Sequence, residues 1–190
     1  MDKPFITEQH FKGEDFTSTP LKRAEYEECT FERCKFQNGF LDNQHFMECE
    51  FLACDLSNTN IKHSIFNTIT FRECKLLGLR FEDLNDSLLS FQFHNCQMDF
   101  ASFFQLKIKN TVFKDCTLLE TDFTETDLTG AIFSGSNLEK AIFDGTILDK
   151  TNFGEAHNFI INPERNSLKK AKFSKHGLLG LLKKYDIVVE

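Results

Sequence analysis

The chain has 190 residues, a formal net charge of −7, and 23 phenylalanines beside three prolines and no tryptophan. That length suits one ordinary domain or one elongated rod, and the phenylalanine excess suits a uniform stacked core. No run of about 18 apolar residues occurs, so no helical membrane span is expected; Met1-Asp2-Lys3-Pro4-Phe5 lacks the charged-then-apolar pattern of a secretory leader, which places the protein in the cytoplasm by expectation.

From Phe11 a large apolar residue recurs at every fifth position, through Phe16, Leu21, Tyr26, Phe31, Phe36, Leu41, Phe46, Phe51, Leu56, Ile61, Phe66, Phe71 and Leu76 to Phe81. Two residues before each there is almost always a small one. A period of five fits neither the 3.6 of a helix nor the 2 of a simple strand. It fits a repeat array, in which each unit turns the chain through one side of a coil and buries its apolar residue only by stacking on its neighbours.

Between Glu82 and Phe91 the register breaks, and it resumes two residues out of step as Leu88, Phe93, Met98, Phe103 and Ile108. The rod is therefore expected to kink or bulge at about 82–92. A tolerated two-residue insertion is the simpler reading of this slip, and a loop that a partner reads is the other. Beyond it the beat runs cleanly through Phe113, Leu118, Phe123, Leu128, Phe133, Leu138, Phe143 and Leu148 to Phe153.

The choice of residue at the beat sets the number of sides. Four units per coil stack residues 20 apart, giving columns Phe93/Phe113/Phe133/Phe153 and Phe103/Phe123/Phe143, with Met98/Leu118/Leu138 and Ile108/Leu128/Leu148 between them. Rings then face rings, and aliphatics face aliphatics. At about 4.8 Å per layer, about seven coils make a rod roughly 35 Å long. The expected fold is all-β, a quadrilateral β-helix.

All seven cysteines, Cys29, Cys34, Cys49, Cys54, Cys74, Cys96 and Cys116, fall at the small position. Free cysteine packs as a small buried hydrophobe, which accounts for all of them together. Nothing supplies the paired two-to-four-residue spacing of a structural zinc site, and no metal or other cofactor is expected.

After Phe153 the regular pentads stop. Asn162-Pro163-Glu164 reads as a turn, Ala171 and Phe173 as one further unit, and Ser174 as the cap of a short helix through Leu178, Leu179, Leu181 and Leu182 to about Lys184. Ile187-Val188-Val189 reads as a short strand. The chain thus divides into a β-helix over 1–164 and a cap over 165–190. Four leucines in five residues exceed what one face against a rod end needs, so Leu178, Leu179, Leu181, Leu182, Ile187, Val188 and Val189 are expected to join two copies about a two-fold axis. The alternative is that they plug the last coil.

Residues 165 to 184 carry seven basic residues and no acid, which leaves 27 acids against 15 bases in residues 1 to 164. The register points most of these acids outward, among them Asp42, Glu50, Asp55, Asp99, Asp115, Asp122, Glu125, Asp127, Asp144 and Asp149. These ten form a candidate partner-binding surface, although a solvated surface that keeps the rod soluble accounts for the same acids. An acidic rod is a poor nucleic-acid binder, because phosphate contacts need Lys and Arg. No catalytic constellation is present: His45, His63, His94 and His157 point outward far apart in the array, and neither a phosphate loop nor a His-Glu-x-x-His helix occurs. The chain does not read as an enzyme.

Units such as Thr126-Asp127-Leu128-Thr129-Gly130, Ala131-Ile132-Phe133-Ser134-Gly135 and Ser136-Asn137-Leu138 resemble the pentapeptide-repeat motif, small-(Asp/Asn)-(Leu/Phe)-x-Gly. The resemblance implies a right-handed, four-sided β-helix with a short C-terminal helical cap. Total length, the mid-array slip and the ending from Ile161 to Val189 are similar to the quinolone-resistance and microcin-immunity branch. What that implies is a bacterial, cytoplasmic homodimer joined through its C-terminal helices, and an acidic rod that imitates duplex DNA to bind DNA gyrase or topoisomerase IV, conferring quinolone resistance or toxin immunity. The long rod-interrupting loops of many quinolone-resistance members are missing here. An interaction scaffold with an unrelated partner is the other function the same surface would serve.

Overall fold

In the computed structural model, which describes residues 3–188, the chain winds as a four-sided β-solenoid of about eight turns. Its strands are β1 (Phe5–Thr7), β2 (His10–Lys12), β3 (Glu25–Glu27), β4 (Thr30–Glu32), β5 (His45–Met47), β6 (Glu50–Leu52), β7 (Ile65–Asn67), β8 (Ile69–Arg72), β9 (Phe91–His94), β10 (Val112–Lys114), β11 (Asn152–Phe153) and β12 (Lys172–Phe173); one helical turn, α1 (Leu179–Leu182), follows. All pairings are parallel, with β1-β3-β5-β7 on one side and β2-β4-β6-β8-β9-β10 on the next. Single bridges such as Lys35 to Asp55 and Ser102 to Asp122 hold the two remaining sides.

Each pentad turns one corner. Its central residue points inward, its flanking residues outward, and the residue after them takes a positive φ. Asn, Gly and Asp accept that left-handed conformation readily, but Glu28, Glu48 and Lys140 adopt it too, at φ 52°, 52° and 56°. The backbone compensates: the Glu48 N–H donates to the carbonyl of Asn67 in the next coil at 2.9 Å, so the corner's donor is satisfied.

The small position has a chemical as well as a steric requirement. Its side chain donates to the carbonyl of a central residue in the preceding coil: Thr126 Oγ1 to Phe103 O at 2.8 Å, Ser136 Oγ to Phe113 O at 3.0 Å, and Cys54 Sγ to Phe31 O at 3.1 Å. Threonine, serine and cysteine are therefore interchangeable donors at this place. All seven cysteines are buried free thiols, and Cys34, Cys54, Cys74, Cys96 and Cys116 follow one another in five successive coils. Burial pushes the Cys49 thiol up to about 12.

The four faces are conveniently numbered by their inward columns. The first contains Phe31, Phe51, Phe71, Phe93, Phe113, Phe133 and Phe153; the second Phe36, Leu56, Leu76, Met98, Leu118 and Leu138; the third Leu41, Ile61, Phe81, Phe103, Phe123 and Phe143; the fourth Tyr26, Phe46, Phe66, Ile108, Leu128 and Leu148. All are buried. Rings stack within a column, as Phe113 on Phe133 at 4.8 Å and 2°, and meet edge to face across the rod, as Phe103 and Phe113 at 5.8 Å and 86°. Both are favoured aromatic geometries.

The slip sits on the fourth face. Asn85 N still bonds to Ser64 O in the old register, whereas Ile69 pairs with Phe91 and Phe71 with Phe93, 22 residues on. The two extra residues are accommodated between Asn85 and Ser90, where Asp86, Ser87 and Leu88 stand exposed. Leu88 was expected at an inward large position, and this is corrected: it is 73% exposed with φ 63°, and Leu89 packs against the core in its stead. Phe91 occupies a small position and is buried, because the residue opposite it, Ile69, is large as well.

At the C-terminal end the coil continues past Phe153. Ser167 bridges Ile147, β12 pairs with β11, and Phe173 stacks on Phe153 at 5.2 Å, so the solenoid reaches Phe173. With about eight turns rather than seven, the rod is about 40 Å long. Ser174 Oγ accepts from Gly177 N at 3.0 Å, capping the turn that leads into α1, which continues as a 3-10 turn over Lys183–Tyr185. Ile187 and Val188 lie outside any strand, contrary to expectation, because Asp186 ends the 3-10 turn in a left-handed conformation; Val189 lies outside the described residues.

Candidate functional site: the outward positions and the cap

With the interior filled, chemistry is confined to the outward positions. Among the described residues, no three His, Cys, Asp or Glu side chains gather as metal ligands, and no helix is long and apolar enough to cross a membrane.

Coil geometry distributes the ten expected acids over all four faces. Glu50 and Asp115 lie on the first face and its corner; Asp55 and Asp99 on the second; Asp42, Asp122, Glu125 and Asp144 on the third; Asp127 and Asp149 on the fourth. Most are already engaged. Asp42 pairs with Arg23 at 2.6 Å, Glu50 with Arg72 at 2.7 Å and Asp144 with Arg165. Asp55, Asp122 and Asp127 accept from the backbone two residues on, at Ser57, Thr124 and Thr129, in the Asx turns that this residue type favours. Asp99 accepts from Leu119 N at 3.1 Å, and Asp149 from Ser167 Oγ at 2.6 Å.

At Asp127 and Asp149 these bonds favour the ionised form. Burial alone would raise Asp127, but the Thr129 hydroxyl and amide and the Lys109 ammonium, 3.2 Å away, bring its carboxyl below the ordinary value. The Ser167 hydroxyl does the same for Asp149.

One grouping does emerge. Asp99, Asp122, Glu125 and Asp144 share the adjacent second and third faces over successive coils with Glu120 and Glu139. Over residues 97–106, 117–126 and 137–146 the only Lys or Arg is Lys140, which pairs with Glu120 at 3.3 Å, and Arg165 of the following coil adds a second base at Asp144. The other six acids of the expected set are not part of this patch. Glu120 and Glu139 belong to it because coil closure stacks Glu120 on Lys140 and puts Glu139 two coils beyond Asp99 in one column.

At the cap, Leu178, Leu179 and Leu182 are exposed, as are Ile187 and Val188, while Leu181 packs against the core. A groove of about 640 Å³ runs along the junction of α1 and the last coil, lined by His157, Phe159, Ile160, Gly177, Leu179 and Lys183. The approach is close enough to require glycine: a Cβ on Gly180 would lie 2.3 Å from Phe159 O, and Gly180 O accepts from Ile161 N at 3.1 Å. The Lys184 ammonium and the Tyr185 hydroxyl both bond Glu164 and hold its carboxyl below the usual range.

Residues 27–62, 96–135 and 107–145 match the family model of pentapeptide repeats, in eight copies. The chain contains pentapeptide repeats over these segments. Among solved structures, a pentapeptide-repeat solenoid of similar form is a trypsin-treated variant of QnrB1, a plasmid-mediated fluoroquinolone resistance protein, with a TM-score of 0.60 at 16% identity over 98% of this chain and 100% of that one. A second trypsin-treated QnrB1 variant gives 0.58 at 17% identity over 97% and 99%. At these identities the likeness is one of fold. No curated protein sequence matches the chain.

Proposed function

We propose that this pentapeptide-repeat rod is a non-catalytic protein-binding module whose partner is a type II topoisomerase, DNA gyrase or topoisomerase IV. The observation that carries the reading is the acidic patch on the second and third faces, where six carboxylates stand over successive coils against two bases, Lys140 at Glu120 and Arg165 at Asp144. Regularly spaced negative charge on a rigid rod is what a DNA-binding groove lined with Lys and Arg recognises. The fold it shares with a fluoroquinolone resistance protein supports the choice of enzyme. In this reading the exposed cap leucines pair two copies in the bacterial cytoplasm, and occupation of the enzyme's DNA site confers drug resistance or toxin immunity.

Purified protein should bind gyrase at micromolar concentration and inhibit supercoiling or relieve quinolone poisoning. Asp122→Lys with Asp144→Lys should weaken that effect at least tenfold. Absence of binding to either topoisomerase would overturn the reading.

A second reading rests on the first face, where Arg72 pairs with Glu50 and Lys12 with Glu32. Such mixed charge fits an interaction scaffold for an unrelated protein. A pull-down that returns another protein, with gyrase missing, favours it.

A further inference from the structure

The fourth face carries a charge division along the rod that the net charge conceals. Its first four rungs, residues 5–8, 25–28, 45–48 and 65–68, hold Glu8, Glu25, Glu27, Glu28 and Glu48 and not one lysine or arginine. Beyond the slip, the rungs 107–110, 127–130, 147–150 and 167–170 hold Lys107, Lys109, Lys150, Lys169 and Lys170. The two halves have equal length and meet at the one place where the register breaks. Only two acids, Asp127 and Asp149, interrupt the basic half, and each is tied down, Asp127 by Lys109 and Asp149 by Ser167. Glu8, Glu28, Glu48 and all five lysines are exposed.

We propose that the fourth face is a self-association surface on which two copies lie antiparallel, the glutamate half of each against the lysine half of the other. A two-fold axis across the rod near the slip brings the faces together in this way, and the contact is isologous, so it closes at two copies. Successive rungs are about 4.8 Å apart, within the screening length of about 8 Å at physiological salt; a shift of one rung therefore keeps opposite signs opposed. Met47, Ile65 and Ile147 lie among the charges and supply apolar contact. At about 40 Å by 10 Å the face offers roughly 400 Å² per copy, the scale of a transient interface held by charge rather than by area. This contact is separate from the cap and does not depend on the topoisomerase reading.

The test is sedimentation equilibrium of the full chain at 20 mM and 500 mM salt, with the Leu182→Glu variant alongside to remove cap contacts. The expected result is an association that survives in Leu182→Glu, weakens at least tenfold at high salt, and weakens at least tenfold in Glu8→Lys/Glu28→Lys or in Lys150→Glu/Lys170→Glu, whose rungs oppose each other. Combining both reversals in one chain should restore it. Carbodiimide coupling at low salt should join acidic-half to basic-half peptides, such as Glu28 to Lys150, between isotopically distinct copies. Circular dichroism confirms that each variant folds. Association that ignores salt and charge reversal, or its absence from Leu182→Glu at low salt, overturns the proposal and leaves the topoisomerase test unaffected.

Discussion

Phe91 lies over Ile69 as its parallel-strand partner, although 22 residues separate them, as they separate every pair across the slip, while other coils put partners 20 apart. Both occupy the small position of the first face, which other coils fill with Cys29, Cys49, Thr111, Ala131 and Thr151. Two large side chains placed one above the other restore the ladder immediately after the insertion, and Phe71 and Phe93 then stack at 5.3 Å and 6° as if no residues had been added. The slip is thus absorbed at one corner.

That arrangement makes Phe91 a point of weakness and Leu88 a neutral site. Phe91, 2% exposed, should lose about 3–5 kcal/mol of stability on change to Ala, the usual cost of emptying an aromatic core position. Leu88→Ser should stay within about 0.5 kcal/mol. Urea unfolding of both variants measures the contrast, and equal losses would show that Leu88 also supports the bulge.

The donor requirement at the small position orders substitutions of Cys54. Thr should be accepted there, since Thr126 and Thr151 make the same bond in other coils, whereas Ala leaves Phe31 O without that donor and should cost about 0.5–1.5 kcal/mol. Thermal melts of the two variants distinguish donor loss from volume loss. In the native protein the buried thiols should resist a disulfide-forming reagent and react together on unfolding.

Gly180 governs whether the cap stays docked. An added methyl in Gly180→Ala would collide with the backbone carbonyl and ring of Phe159, so α1 should separate from the last coil while the solenoid persists. Limited proteolysis should cut the variant between about Ser174 and Lys184 at least tenfold faster, with β-rich circular dichroism unchanged.

Acid should destabilise the rod through its tethered carboxylates. Asp127, Asp149 and Glu164 have folded pKa values below their ordinary 3.8 and 4.5. The unfolded chain therefore binds more protons, and stability falls as pH falls. The contribution is complete above the ordinary values and is lost as pH drops through the folded ones. Urea midpoints should decline below about pH 4, and Asp127→Asn should make that decline shallower.

The sequence alone determined the solenoid, because a five-residue beat allows few ways to bury one large residue per unit. It placed Phe113, Phe133 and Phe153 in one column and all seven cysteines in the core, since stacking every 20 residues is local arithmetic repeated. The tertiary structure decided what the beat leaves undetermined. Whether Leu88 or Leu89 turns inward depends on how the corner absorbs two extra residues, and periodicity is silent where the period fails. Which acids become neighbours depends on coil closure: Asp122 and Asp144 join Glu120 and Glu139, while Glu50 faces away beside Arg72. The position of the cap likewise follows from the fit of Gly180 against Phe159, a contact between residues that no repeat relates.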